Sequence, residues 1–179
     1  MRILVLVTNL VEESELIGTT SLLDRAKLEV DLVSIKDTLN VVGSHSTKLV
    51  CDKLLKDINY KEYDALFLPG GAGVTELRGC NDVLEITKYF YDNNKLIFAI
   101  CAAPSILGVL GILDNKKFSC YPTFEEYMPK GIHSLDGVSV CKNIITGKSV
   151  NFVTPFALEV IKYLLGEDAV QKVKKQICY

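Results

Sequence analysis

Cys101 sits among residues that suit it for chemistry. The run Lys95-Leu96-Ile97-Phe98-Ala99-Ile100-Cys101-Ala102-Ala103-Pro104 reads as a buried strand entering a helix, with the thiol at the junction. This is the sequence form of a nucleophile elbow, a sharp strand-to-helix turn that needs small residues two positions either side of the nucleophile. Ala99 and Ala103 supply them in place of the glycines of G-x-S-x-G. Pro104 suits the first turn of a helix, where its missing N–H costs nothing. A helix N-terminus presents free N–H groups and partial positive charge, which favour thiolate over thiol. The commoner fate of a cysteine is burial as a small inert hydrophobe. The small flanks and the proline favour the reactive reading here.

Two further loops follow predicted strands. In Phe67-Leu68-Pro69-Gly70-Gly71-Ala72-Gly73 the glycines let the backbone approach a ligand, so the Gly71 N–H can aim at a developing negative oxygen, with the Ala102 N–H as its partner. Gly70 and Tyr121 are the expected walls of a substrate pocket. Taken alone, the glycine loop is equally well explained as a tight turn, and its spacing fits neither the phosphate loop nor the dinucleotide fingerprint. After the first strand comes Glu12-Glu13-Ser14-Glu15. Carboxylates in a first helical turn complement the helix dipole, which accounts for at least two of the three. The remaining one can point across the strand ends at Cys101. The two histidines, His45 and His133, read as ordinary surface imidazoles in a hairpin and a loop. His133-Ser134-Leu135 lacks the carboxylate two residues on that a Cys-His-Glu glutaminase needs, and proteolysis lacks a proton donor for its amine leaving group.

The elements that must hold these loops alternate along the chain. Ile3–Val7, Glu29–Ile35, Ala65–Leu68, Leu96–Ile100 and Asn143–Thr146 are short β-branched runs that read as strands. Glu13–Lys27, Asn81–Asn93, Ala102–Leu113 and Val153–Leu165 carry helical spacing, and Glu167–Gln176 reads as a charged surface helix. The alternation predicts a three-layer α/β sandwich with a mostly parallel sheet and helices on both faces. Thr38–Val50 predicts an edge β-hairpin turning at Gly43-Ser44. No repeat or linker divides the chain, so residues 1–179 are expected to form one domain. In such sheets ligands bind beyond the carboxyl ends of the strands, where the three loops lie.

Composition narrows the class. With 179 residues, 49% hydrophobic, the chain should bury roughly 70% of its unfolded surface and need no staple. A net charge of −2 from 20 basic and 22 acidic residues gives no footprint for nucleic acid or acidic membranes. The apolar start ends at Glu12 without a cleavage site, and no run approaches the ~18 apolar residues of a membrane span. A soluble, cytoplasmic protein is expected. The six cysteines, Cys51, Cys80, Cys101, Cys120, Cys141 and Cys178, include no C-x-x-C pair, which argues against both a disulfide framework and a zinc site.

With these loops in hand, the chain resembles the ThiJ/PfpI superfamily and, within it, the Parkinson disease protein 7 branch, over nearly its whole length. The acidic motif is similar to Val11-Glu12-Glu13-Ser14-Glu15, which places the family glutamate on Glu15. The oxyanion loop is similar to Leu68-Pro69-Gly70-Gly71, and the nucleophile motif to Ala99-Ile100-Cys101-Ala102-Ala103-Pro104. A further family cysteine, near a subunit interface, aligns with Cys51. The resemblance implies a flavodoxin-like sandwich, a homodimer, no metal or organic cofactor, and a cysteine readily oxidised to a sulfinate held by the glutamate. It also implies activities among glyoxalase action, repair of glycated thiols and amines, chaperoning and, in distant members, proteolysis. Where some branch members carry a His before a proline, this chain has Tyr121 ahead of Pro122. Where the branch often has Arg-Gly-Pro-Gly, it has Lys148-Ser149-Val150-Asn151, and Lys148 keeps the charge without the bidentate geometry.

The leading expectation is a cofactor-independent, cysteine-dependent glyoxalase or deglycase acting on methylglyoxal, glyoxal and their adducts, with a role against oxidative stress. Cys101 is its nucleophile, Glu15 its proton shuttle, and the Gly71 and Ala102 amides its oxyanion donors. The competing expectation is a redox-sensing chaperone whose chemistry is oxidation of Cys101.

Overall fold

The computed structural model describes residues 1–179. In chain order its elements are β1 (Arg2–Val7), α1 (Glu13–Arg25), β2 (Glu29–Ser34), β3 (Asn40–Val42), β4 (Lys48–Val50), β5 (Lys53–Leu54), β6 (Ala65–Leu68), α2 (Val74–Gly79), α3 (Asn81–Asp92) and β7 (Leu96–Ile100). There follow α4 (Pro104–Val109), β8 (Lys117–Phe118), β9 (Ile132–His133), β10 (Val138–Cys141), β11 (Ile144–Gly147), α5 (Val153–Leu165) and α6 (Glu167–Gln176). Seven strands form one sheet in the order β10-β11-β7-β6-β1-β2-β5. Only the β10–β11 pairing is antiparallel.

Side chains alternate across a strand, so β1 feeds two cores at once. Ile3, Val5 and Val7 pack with Leu16 and Leu23 of α1 and with Phe156 and Val160 of α5. Leu4 and Leu6 face the opposite way, among Leu77 of α2, Phe90 of α3 and Ile106 of α4. Phe67 and Phe98, on adjacent strands, stack at 4.8 Å on the first face, with Phe156 tilted against both. Both faces are covered, which is why the central strands are near-continuous apolar runs.

The chain runs outward from β1 to β2, then returns to the other side of β1 to place β6 and β7. This reversal sets the loops after β1, β6 and β7 side by side at the carboxyl edge.

Several expectations are corrected in detail. The helix predicted over Ala102–Leu113 is shortened to Pro104–Val109, because Gly111 adopts a positive φ of 67° and turns the chain away. The hairpin of β3 and β4 forms, but it is not an edge of the main sheet. It stands as its own two-stranded sheet, strapped over the β1–α1 loop by Leu10 N–H donating to the Val42 carbonyl at 2.7 Å and Ser44 N–H to that of Val11 at 2.8 Å. The half-exposed strand β10 carries too weak an apolar signal to be read from sequence.

Candidate active site

Each of the three acidic positions in Glu12-Glu13-Ser14-Glu15 has its own task. Glu12 is the N-cap of α1, and its side chain accepts from the Ser14 N–H at 3.4 Å. Glu13 anchors the hairpin, its Oε1 accepting from the His45 and Thr47 amides at 2.8 and 3.2 Å. Those bonds, with its own amide, hold its carboxyl below the ordinary range against the opposing effect of burial. Glu15, only 1% exposed, turns inward to Cys101 and accepts from the Gly70 N–H at 3.1 Å.

Cys101 follows β7 in the left-handed region, at φ 64°. A non-glycine residue held there is strained, and the surrounding bonds must keep it in place. Its N–H donates to the Gly147 carbonyl at 2.9 Å, and its own carbonyl accepts from the Tyr121 N–H at 2.8 Å. The small neighbours expected of an elbow are present: Ala99 and Ala103 are fully buried. Gly70 lies where a Cβ would meet the Glu15 carboxylate and come within 2.6 Å of the Cys101 Cβ. Gly71 takes φ 100°, which brings its amide to the sulfur. The amides of Gly71 and Ala102 are engaged by no backbone carbonyl, and both lie close enough to act on the Cys101 thiol.

The electrostatics correct the simple helix-dipole expectation. Burial, then the charge of Glu15 and its hydrogen bond, push the Cys101 thiol well up, although the Ala102 and Gly71 amides pull it down. Desolvation outweighs the short α4 dipole. Glu15 is also raised, to about 7, mainly by burial and further by the charge of Glu12. The Cys101 contact and the Gly70 and Val150 amides oppose that rise. Both groups move up chiefly because burial disfavours their charged forms, and the Glu15 charge adds to the rise of the thiol, so above about 7 the pair holds one anion and one proton.

Above this pair lies an open depression of about 330 Å³, lined by Glu12, Ser14, Glu15, His45, Gly71, Cys101, Tyr121, Ser149 and Val150. Five sequence-predicted site residues therefore meet: Cys101, Glu15, Gly71 and Tyr121 on the lining, and Ala102 immediately beneath through its amide. Gly70, expected as a pocket wall, is instead buried behind it with its N–H occupied by Glu15. His45 was missed. The hairpin brings it over the β1–α1 loop, where its Nε2 lies 3.0 Å from Glu12 Oε2 on the pocket rim. Nothing in the local sequence signals this, because the contact joins positions 33 residues apart. Ser149 and Val150 of the divergent Lys148-Ser149-Val150-Asn151 run also reach the lining.

Fold and site together define a class: flavodoxin-like α/β proteins with a cysteine on a nucleophile elbow and a buried glutamate beside it. Comparison with known proteins gives the family. The model of the DJ-1/PfpI family matches residues 1–163, and the chain belongs to that family. A protein of Caenorhabditis elegans named glutathione-independent glyoxalase DJR-1.2 is 31% identical over 169 residues, covering 93% of this chain and 90% of that one. An uncharacterised protein of Methanocaldococcus jannaschii is 36% identical over 155 residues, 84% and 75% of the two chains. DJ-1 homolog B of Arabidopsis thaliana is 29% identical over 175 residues, of which this chain spans only 40% of the longer relative. Among solved structures, oxidised Toxoplasma gondii DJ-1 superposes with a TM-score of 0.94 at 30% identity, covering 99% and 98% of the chains. No helix of the structure is long and apolar enough to cross a membrane.

One expectation follows directly from this geometry. Cys101 should be the first thiol to react with peroxide and should stop mainly at sulfinate, since Glu15 can take the thiol proton and the two free amides can hold the new oxygens. Cys51 and Cys120 are 3% and 0% exposed while Cys101 is only partly buried, so both are less accessible to peroxide than Cys101. Peptide mass spectrometry after mild oxidation checks this, and oxygen arriving first on exposed Cys178 would contradict it.

Proposed function

We propose that this protein is a cofactor-independent glyoxalase that converts methylglyoxal or glyoxal to the 2-hydroxy acid and, by the same chemistry, releases their adducts from thiols and amines. The observation that carries the reading is the contact between half-buried Cys101 and buried Glu15, beneath two free amides at an open pocket of small-molecule size. In the reaction the sulfur adds to the aldehyde carbon as Glu15 takes the thiol proton, and the new oxyanion rests on the Gly71 and Ala102 amides. Glu15 returns that proton to the oxyanion, then takes the proton from the former aldehyde carbon and delivers it to the neighbouring carbon as the hydroxyl proton passes to the second oxygen, giving a 2-hydroxyacyl thioester. Water cleaves that thioester and frees the thiol. The sequence of steps is redox-neutral and consumes one water molecule. The name of the C. elegans relative supports this choice among the chemistries the pair could perform.

The test is lactate formation from methylglyoxal by the purified protein without added thiol. Turnover is expected for the wild type and a buffer-level rate for Cys101→Ser. A wild type at the buffer rate would remove the reading and leave oxidation of Cys101 as its chemistry.

We further propose a homodimer, the commonest closed association. Cys51, 3% exposed within one protomer, lies just after the hairpin and would sit near the two-fold contact. Light scattering over a dilution series is expected to give twice the 19.8 kDa chain mass down to micromolar concentration. A monomer there would refute the proposal.

A further inference from the structure

A second group of donor atoms lies outside the site described above. Cys120, Glu125 and His133 each bring one donor, a sulfur, a carboxylate oxygen and a ring nitrogen, and the three lie within 4.8 Å of one another. They come from separate pieces of chain: Cys120 just after β8, Glu125 in the 3-10 turn Phe124–Tyr127, and His133 in β9. Cys120 is fully buried, Glu125 half-buried and His133 exposed, so the donors run from the interior to solvent and leave a way in.

The surrounding backbone holds them there. Parallel pairing of β8 with β9 sets Phe118 opposite His133, whose ring stacks on that of Phe118 at 5.4 Å and 19°. Thr123 takes φ 77°, a conformation that β-branched residues rarely adopt. It reverses the chain between Cys120 and Glu125, so that the Glu125 carboxylate faces the Cys120 sulfur at 4.0 Å.

We propose that Cys120, Glu125 and His133 form a site for one divalent cation of borderline softness, with zinc the best match. Thiolate, imidazole and carboxylate are zinc's usual donors, and three of them leave a fourth position for water. With bond lengths of about 2.0–2.3 Å, tetrahedral donors stand roughly 3.5 Å apart. The cluster therefore has to contract by up to about 1.3 Å, through rotation of the accessible Glu125 and His133 side chains. On binding, the Cys120 S–H bond breaks, a sulfur–metal bond forms and the proton leaves to solvent, with no change of oxidation state. One thiolate and one carboxylate then balance the cation's two charges. Without a cation the thiol stays protonated, raised first by burial and then by the Glu125 charge. Lys148, whose charge also acts on this thiol, opposes the ion. The site shares no residue with the Cys101–Glu15 pair and does not depend on the proposed glyoxalase activity.

Cobalt(II) is the probe, because it shares zinc's ligand preferences and reports sulfur ligation through a near-ultraviolet charge-transfer band. Titration of the full chain at pH 8 is expected to give that band, saturating at one ion per chain with one proton released. Cys120→Ser is expected to abolish the band, and Glu125→Gln and His133→Ala to weaken binding by about tenfold or more. Cys101→Ser should retain it. His133 is exposed, so His133→Ala should fold even if Cys120→Ser does not. A band lost in Cys101→Ser but kept in Cys120→Ser would overturn the proposal. So would a cobalt spectrum without the sulfur band, as the Glu12, Glu13 and His45 cluster would give.

Discussion

Glu15→Gln is expected to lower methylglyoxal turnover by about 10²–10⁴-fold, the usual contribution of a positioned acid or base, while Cys101 stays reactive toward iodoacetamide. The amide keeps a hydrogen bond to the sulfur but cannot carry a proton. In the wild type, turnover should fall about tenfold per pH unit below about 7, where Glu15 and Cys101 are both protonated, and level off above it. The same substitution should change stability in a defined direction. Glu15 titrates at about 7 in the folded protein, against an ordinary 4.5. Below pH 4.5 both states hold the proton and folding carries no penalty from this group. Between 4.5 and 7 the unfolded chain releases it and the native state does not, so stability falls as pH rises, by up to about 3 kcal/mol. Glu15→Gln should therefore melt higher than wild type at pH 8, and the gain should vanish near pH 4. Glu15→Asp, with a shorter reach, should weaken both turnover and the contact. Glu12→Gln is the control. It removes one cause of the raised Glu15, so it should move the acidic limb of the pH profile downward and cost far less turnover. Full activity in Glu15→Gln would rule out the acid–base role, and an equal loss in Glu12→Gln would assign it to the wrong carboxylate.

Gly70→Ala should abolish turnover although Gly70 contributes no group of its own to the chemistry. Gly70 needs no positive φ, so the backbone admits alanine, but the added Cβ would fall on the Glu15 carboxylate and 2.6 Å from the Cys101 Cβ. Both belong to buried, strained or hydrogen-bonded groups, and overpacking of this kind costs about 1–3 kcal/mol. The expected result is a folded protein with a lower melting temperature, turnover reduced at least as much as in Glu15→Gln, and an altered pH dependence of Cys101 alkylation. Gly79→Ala, where a Cβ meets nothing within 4 Å, should leave activity unchanged. Normal turnover in Gly70→Ala would show that the Cys101–Glu15 contact is not needed.

Much of this was legible in the linear chain. The apolar runs of β1, β6 and β7 state their own burial, because strands covered on both faces must be apolar at every position. The limits of α5 and α6 follow from periodicity together with Gly166, whose φ of 83° ends one helix and begins the next. The elbow is local too: a nucleophile between Ala99 and Ala103 with Pro104 after it requires no distant partner to be recognised. Glu15 was separable from Glu12 and Glu13 only with the help of the family resemblance, since a first helical turn suits all three.

Tertiary structure decided what depends on contact between remote segments. Folding the hairpin over the β1–α1 loop gave Glu13 its anchoring task and set His45 beside Glu12. Burial beside Glu15 reversed the expected direction of the Cys101 thiol, because desolvation is a property of the packed interior and not of a local helix end. The approach of Cys120, Glu125 and His133 depends on the pairing of two-residue strands and on one left-handed threonine, which leave almost no periodic trace. Sequence thus determined the elements and the elbow that carries Cys101, whose signals are short-range patterns of size and polarity. The fold determined the neighbours and charge states, which arise only when distant groups are brought together and removed from water.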